Sequence, residues 1–118
     1  MTTLYGISNC DSVRKARRWL EDQGIAHRFH DLRRDGLDEE RLRGWASQVG
    51  WETLLNRRSS SWRQLPAADR EHLDGDHALA LMLAQPTLIK RPVIEHDGRI
   101  EVGFSESRLQ VLFSQAQG

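Results

Sequence analysis

The first 30 residues alternate strand, helix and strand, and that order narrows the choice of fold more than any other feature of the chain. Residues 2–7 (TTLYGI) are short, apolar and β-prone. From Ser12 the apolar residues Val13, Ala16, Trp19 and Leu20 share one helical face, and Gly24 is the expected C-terminal stop. Residues 25–30 (IAHRFH) read as a second strand. A unit of this kind predicts two parallel strands joined by a right-handed crossover.

The other end of the chain returns to strands. Val93-Ile94 and Ile100-Val102 flank His96-Asp97-Gly98-Arg99, and Asp-Gly between β-prone runs predicts a hairpin. Ser105 is the expected cap of a last helix with Leu109, Leu112, Phe113 and Ala116 on one face. Between these ends the pattern is helical throughout. Asp38 is placed to cap a helix carrying Leu42, Trp45, Ala46 and Val49, ended by Gly50. Trp51 to Leu55 reads as a short helical piece and residues 56–61 (NRRSSS) as a polar loop. Pro66 suits the first turn of a helix running to Leu73, and Asp76 is the expected cap of another that stops before Pro86. The expectation is therefore an α/β single domain over 1–118. Residues 1–32 and 87–118 form a four-stranded mixed sheet with flanking helices, and 33–86 an all-helical insertion.

Composition removes several classes of function. Lys plus Arg and Asp plus Glu balance at 17 each, which gives no basic surplus for nucleic acid. The four Trp residues read as core or helix-packing residues on that ground, not as a stacking platform. A single cysteine forbids an internal disulfide, and the five histidines lack metal-ligand spacing, so no metal site is expected. No signal-like segment and no apolar run of roughly 18 residues is present, so the expected location is the cytoplasm, with no membrane partner. A free thiol survives in that reducing compartment.

Cys10 stands where the first strand hands over to the first helix. Free backbone N–H groups and the positive end of the helix dipole favour a thiolate at such a position, and Arg14 and Lys15 add cationic charge in the first turn. The alternative is a small buried hydrophobe; the polar setting S-N-C-D-S favours reactivity. Position 13, where a C-x-x-C pair would carry its second thiol, is Val13, so a redox cycle must take its resolving thiol from another molecule. Arg91 precedes Pro92 at the start of the third strand and suits a carboxylate or oxyanion if it faces the thiol; a solvated surface arginine is the alternative. Arg57 and Arg58 form a basic pair in the polar loop, read as binding residues or as a solvated turn.

The segments L-Y-G-I-S-N-C-D-S-V-R-K-A, L-L-N-R-R-S-S-S-W-R-Q-L and L-I-K-R-P-V-I resemble the ArsC/Spx-like superfamily, with similar spacing over nearly the whole chain, and the YffB-like subgroup in particular. The resemblance implies a thioredoxin-like sheet with a helical insertion, a nucleophilic Cys10 and a cis proline after Arg91. Glutathione-coupled arsenate reductases of the family surround the thiol with three arginines and place a histidine four residues before it. Here Arg91 matches one arginine, Gly6 holds the histidine position, Asn56 holds the first arginine position, and the last strand reads Glu101-Val102-Gly103-Phe104. One matched arginine is too few for arsenate.

The resemblance then implies a glutathione-dependent thiol reductase; the expectation is a monomer with no bound cofactor. Glutathione is the co-substrate, held by Asn9, Arg57, Arg58, Arg91 and Pro92, and a glutaredoxin-like or disulfide-bearing protein is a further partner. Two alternatives stand beside it. One is an Spx-like regulator that binds RNA polymerase without the C-x-x-C switch; the other is arsenate reduction itself.

Overall fold

A computed structural model describes residues 1–115 and divides them into two compact units, a core unit of residues 1–35 with 91 onward and a helical unit of residues 36–90. The junctions fall three and four residues later than the expected 33 and 86. Leu32 still belongs to the core unit, where it opens a short helix, and the 3-10 turn Pro86–Leu88 still belongs to the helical one.

The core unit holds a four-stranded sheet in the order β2-β1-β3-β4, with β1 Thr2–Gly6, β2 Arg28–Asp31, β3 Val93–His96 and β4 Arg99–Val102. β1 runs parallel to β2, with Thr3 opposite Arg28 and Gly6 opposite Asp31. β3 is antiparallel to both β1 and β4. Asp97 and Gly98 both have positive φ (50° and 82°), as a two-residue hairpin turn requires. Helix α1, Asp11–Asp22, returns the chain from β1 to β2. Its apolar stripe Val13, Ala16, Trp19 and Leu20 packs with Leu4 of β1, Ile94 of β3, and Leu109 and Leu112 of the last helix into one buried cluster. That cluster is the core of this unit and removes the apolar sides of both helices from water.

The second strand starts three residues later than its apolar content suggests. Gly24 (φ +68°) closes α1 in a Schellman arrangement: its N–H donates to Glu21 O at 3.0 Å and the N–H of Ile25 to Leu20 O at 2.9 Å. Ile25 is spent on that cap and packs on the core cluster, so pairing with β1 begins only at Arg28. After β2 the chain turns at once into α2, Leu32–Asp35, where the Asp31 carboxylate accepts the N–H groups of Arg33 and Arg34.

The helical unit contains α3 Glu39–Val49, α4 Trp51–Leu54, α5 Ser60–Arg63, α6 Ala67–Arg70 and α7 Gly75–Ala84. Asp38 precedes α3 as expected, but its side chain makes no capping bond. Three expectations are corrected here. The polar loop is shorter than 56–61, because Ser59 caps α5 by accepting the N–H of Trp62 at 3.1 Å. The helix after Pro66 ends at Arg70, not Leu73, because Glu71 is extended and His72 has φ 56°. The cap of α7 is Asp74, whose Oδ1 accepts the His77 N–H at 2.8 Å; Asp76 lies inside the helix and pairs with Arg43 at 3.4 Å. Back in the core unit, Ser105 caps α8, Glu106–Gln115, and Ala116, expected on its buried face, lies outside the described residues.

Candidate active site

Cys10 is the N-cap of α1. Its backbone is extended (φ −111°, ψ 126°) and its carbonyl accepts the N–H of Arg14 at 3.0 Å, so the helix begins at Asp11, one residue earlier than expected. The residue is partly exposed and leans on the core cluster, to which Phe104 also packs. Asn9 beside it is exposed in the turn that leaves β1. This is a thiol at the start of a twelve-residue helix, half in apolar packing and half in solvent.

The close fit of α1 to β1 sets that position. A Cβ on Gly6 would lie 2.5 Å from Cγ2 and 3.2 Å from Cγ1 of Val13, so only a glycine lets the helix start this near the strand end. Gly6 is the position where arsenate reductases of the resembling family carry histidine. With Val13 only 1% exposed, no larger side chain enters without moving the helix.

The antiparallel register brings the second half of the site to the same end of the sheet. Tyr5 lies opposite Val93, so Arg91-Pro92 sits beside the end of β1 from which the chain runs on to Cys10. The Arg91–Pro92 peptide bond is cis, Pro92 is buried, and its carbonyl accepts the Gly103 N–H at 2.8 Å. Arg91 is partly buried, its Nε shielded from water. Asn9, Cys10, Arg91 and Pro92 thus lie toward the same end of the sheet, within the core unit.

The expected thiolate-stabilising pair divides. Arg14 forms an ion pair with Asp11, which offsets its charge locally. Lys15 is exposed and has no carboxylate partner among the described residues, so no ion pair offsets its charge. In the last strand Glu101 pairs with Arg108 of α8 at 3.1 Å, and the segment Glu101-Val102-Gly103-Phe104 carries no arginine.

Arg57 and Arg58 belong to the helical unit. Asn56 between Leu55 and Arg57 is committed to the turn: its Oδ1 accepts the Arg58 N–H at 3.1 Å, its carbonyl accepts the Ser59 hydroxyl at 2.8 Å, and its own N–H donates to Leu88 O at 2.8 Å. Arg57 lies over the Trp62 ring, 5.5 Å from its centroid. Trp62, expected as a core or helix-packing residue, is half-buried in α5; the contact with Arg57 spans five residues across a capped turn, which periodicity does not register. A polar group on the sheet was also missed: Tyr5 donates to Glu95 at 3.2 Å and its ring lies 4.8 Å from that of His30.

The nearest electrostatic shifts lie elsewhere. Arg34 and the Asp31 N–H hold the Asp35 carboxyl below the usual carboxylate range, and Glu39 with Asp76 raises Arg43. No helix among the described residues is long and apolar enough to cross a membrane.

Comparison with known proteins agrees with this geometry. The chain is 46% identical over 114 residues to an uncharacterized protein of Haemophilus influenzae, covering 97% of this chain and all of that one. It is 31% identical over 112 residues to the global transcriptional regulator Spx of Streptococcus agalactiae, covering 93% of this chain and 81% of the regulator. Among solved structures, the YffB protein PA3664 superposes with a TM-score of 0.91 at 45% identity, over 94% of this chain and 97% of that one. The four-stranded mixed sheet with flanking helices is an α/β, thioredoxin-like fold that matches its ArsC-related neighbours. Residues 5–112 match the ArsC family, and the chain belongs to it, with a YffB-like member among its similar relatives.

Proposed function

We propose that the protein is a glutathione-dependent thiol reductase that works with one nucleophilic cysteine in the cytoplasm. The observation that carries this reading is the position of Cys10: a partly exposed thiol capping α1, at the same sheet end as Arg91 and Pro92. In the first step the Cys10 thiolate attacks the glutathione sulfur of a mixed disulfide. The Cys10–glutathione disulfide forms and the substrate thiolate leaves to take a proton from water. In the second step the thiolate of another glutathione attacks that disulfide, releasing oxidised glutathione and regenerating Cys10. In net, the substrate sulfur passes from disulfide to thiol while the incoming glutathione passes from thiol to disulfide, and the glutathione delivered with the substrate stays at the disulfide level throughout, so the exchange balances. With Val13 buried at position 13, the resolving thiol comes from glutathione or from a glutaredoxin-like protein. Asn9, Arg57, Arg58, Arg91 and Pro92 are the residues assigned to glutathione, whose carboxylates suit arginine.

The test is adduct formation. Incubation with oxidised glutathione is expected to give one glutathione per chain, on Cys10, and none in Cys10→Ser. Iodoacetamide should alkylate native Cys10 about tenfold faster at pH 7 than the same cysteine in the urea-unfolded chain. No adduct, together with alkylation no faster than in the unfolded chain, would remove the reading.

A second reading is favoured by the 31% identity to Spx: a regulator that binds RNA polymerase without a redox switch. Co-purification with RNA polymerase, unchanged by Cys10→Ala, would select it. Arsenate reduction is the weakest assignment, because Gly6 holds the histidine position, Asn56 the first arginine position and Glu101-Val102-Gly103-Phe104 the last strand, which leaves Arg91 as the one matched arginine. Arsenate turnover with glutathione and glutaredoxin would reinstate it.

A further inference from the structure

The charges of the chain balance overall, but helix α1 segregates them. Arg14, Lys15, Arg17 and Arg18 put four cations into five residues, while Asp11 stands before them and Glu21 and Asp22 after them. Arg14 is offset by Asp11, and Arg17 lies over the Phe29 ring of β2, 4.5 Å from its centroid. Lys15 and Arg18 have neither a ring nor a carboxylate partner among the described residues, although Asp22 stands four residues after Arg18, a spacing at which helical ion pairs form.

The buried side of α1 is Val13, Ala16, Trp19 and Leu20. At about 3.6 residues per turn, Arg14, Lys15 and Arg18 fall on the opposite side, and all three are exposed. A rise of about 1.5 Å per residue puts Lys15 about 7 Å and Arg18 about 12 Å along the axis from Cys10, with Glu21 and Asp22 about 5 Å beyond Arg18. The helix that begins at the thiol therefore carries a run of positive charge away from it on open surface. A polypeptide whose disulfide Cys10 attacks lies at this end of α1. Carboxylates up to four residues from its cysteine reach Arg18, because four extended residues span about 13 Å. Phosphate would also pair with these cations, but a chain of zero net charge and a face that ends in Glu21 and Asp22 give nucleic acid no continuous track.

We propose that the outer face of α1 is the docking surface for a glutathionylated protein whose modified cysteine is flanked by carboxylates, with Lys15 and Arg18 as its unneutralised anchors. The proposal rests on the glutathione reading above and names its substrate class: acidic polypeptide mixed disulfides in preference to neutral or basic ones. Thiol exchange at Cys10 is unchanged; the face acts on encounter and orientation.

The experiment measures kcat/KM of the full chain, with glutathione in excess, for synthetic peptides glutathionylated on a central cysteine flanked on each side by four glutamates, four serines or four lysines. Each value is divided by that peptide's uncatalysed rate with glutathione. At about 0.01 M ionic strength, where the screening length of about 30 Å spans the whole face, the acidic peptide should react about tenfold faster than the serine peptide. At about 1 M the screening length is about 3 Å, and the two should come within about twofold. Arg18→Glu should slow the acidic peptide about five- to tenfold and Arg18→Gln about threefold, with the serine peptide within about twofold of wild type and the lysine peptide faster in Arg18→Glu. Asp22→Lys lengthens the face by one cation and suits the C-terminal end of the helix, and should speed the acidic peptide about two- to threefold. Equal wild-type rates for the acidic and serine peptides, a loss in Arg18→Glu that is the same for all peptides, or no gain in Asp22→Lys would overturn the proposal, while turnover of the serine peptide keeps the glutathione reading. A thymidine oligonucleotide that binds wild type but not Arg18→Glu, with no preference among the peptides, would assign the face to nucleic acid and overturn the proposal too. No turnover of any peptide would overturn both readings.

Discussion

Gly6→Ala is a change of one methyl group with a calculable consequence. The added Cβ meets Val13 Cγ2 at 2.5 Å, about 1–1.5 Å inside the optimum of about 3.5–4.0 Å for carbon pairs. Val13 is 1% exposed, and a β-branched side chain in a helix has one strongly preferred χ1 rotamer, so turning the γ-methyl away from the new Cβ is itself costly. Overpacking of this kind costs about 1–3 kcal/mol, and the closeness of the clash argues for the upper part, about 2–3. The φ of Gly6 is not positive, so alanine is accepted by the backbone and recovers about 0.4–1 kcal/mol by restricting the unfolded chain. The net loss is about 1.5–2.5 kcal/mol, a fall in Tm of about 5–15 °C for a chain of this size. Val13→Ala alone removes two methyl groups and costs about 2 kcal/mol from lost burial and the cavity. In the double variant the new methyl enters the space the old ones left, so the two losses should not add; the coupling is favourable by about 1.5–2.5 kcal/mol. Urea unfolding followed by far-UV circular dichroism measures all four corners of the cycle. A neutral Gly6→Ala, or additive losses, would refute the claim that strand–helix contact at this point seats Cys10.

Asp74→Ala removes the side-chain bond to the His77 N–H and should lower stability by about 1 kcal/mol, while Asp76→Ala, inside the same helix, should cost less; urea midpoints rank the two. The Asp35 carboxyl is lowered by Arg34 and by the Asp31 N–H, so its contribution is present above the ordinary carboxylate value of about 3.9 and is lost as pH falls through the lower folded value. The Asp31 amide resonance should therefore titrate with a midpoint below about 3.9 and lose its pH response in Asp35→Asn. A midpoint above that value, or no response, would contradict the hydrogen bond.

The parts legible in the sequence were those whose cause is local. Asp97-Gly98 sits between two β-prone runs and demands positive φ at both residues, so the hairpin was readable. Cys10 follows an apolar run and precedes a 3.6-residue stripe, so its place at a helix start was readable to within one residue. The misplaced boundaries depend on bonds between residues whose roles periodicity cannot assign. Ile25 looks like a strand residue but is used by the Gly24 cap, and Asp74 and Asp76 are equivalent as letters until one of them faces the His77 N–H. The site was legible on the same terms. The resemblance pointed to Arg91 and Pro92, whereas the Asp11 partner of Arg14 and the Trp62 ring beneath Arg57 depend on side-chain geometry. The Gly6–Val13 contact joins a strand to a helix across the core, and no pattern within either element announces it.

The Asp35 carboxylate also bears on the margin of the sheet. β2 is an outer strand of only four residues, and outer strands offer unpaired amides to any foreign chain with the same need. Here the Asp31 amide is already occupied by Asp35 at 3.1 Å, and α2 begins at the next residue. A would-be fifth strand meets a blocked donor, a negative charge and a helix in place of a free edge, so edge-to-edge aggregation is discouraged on this side without a proline or a bulge.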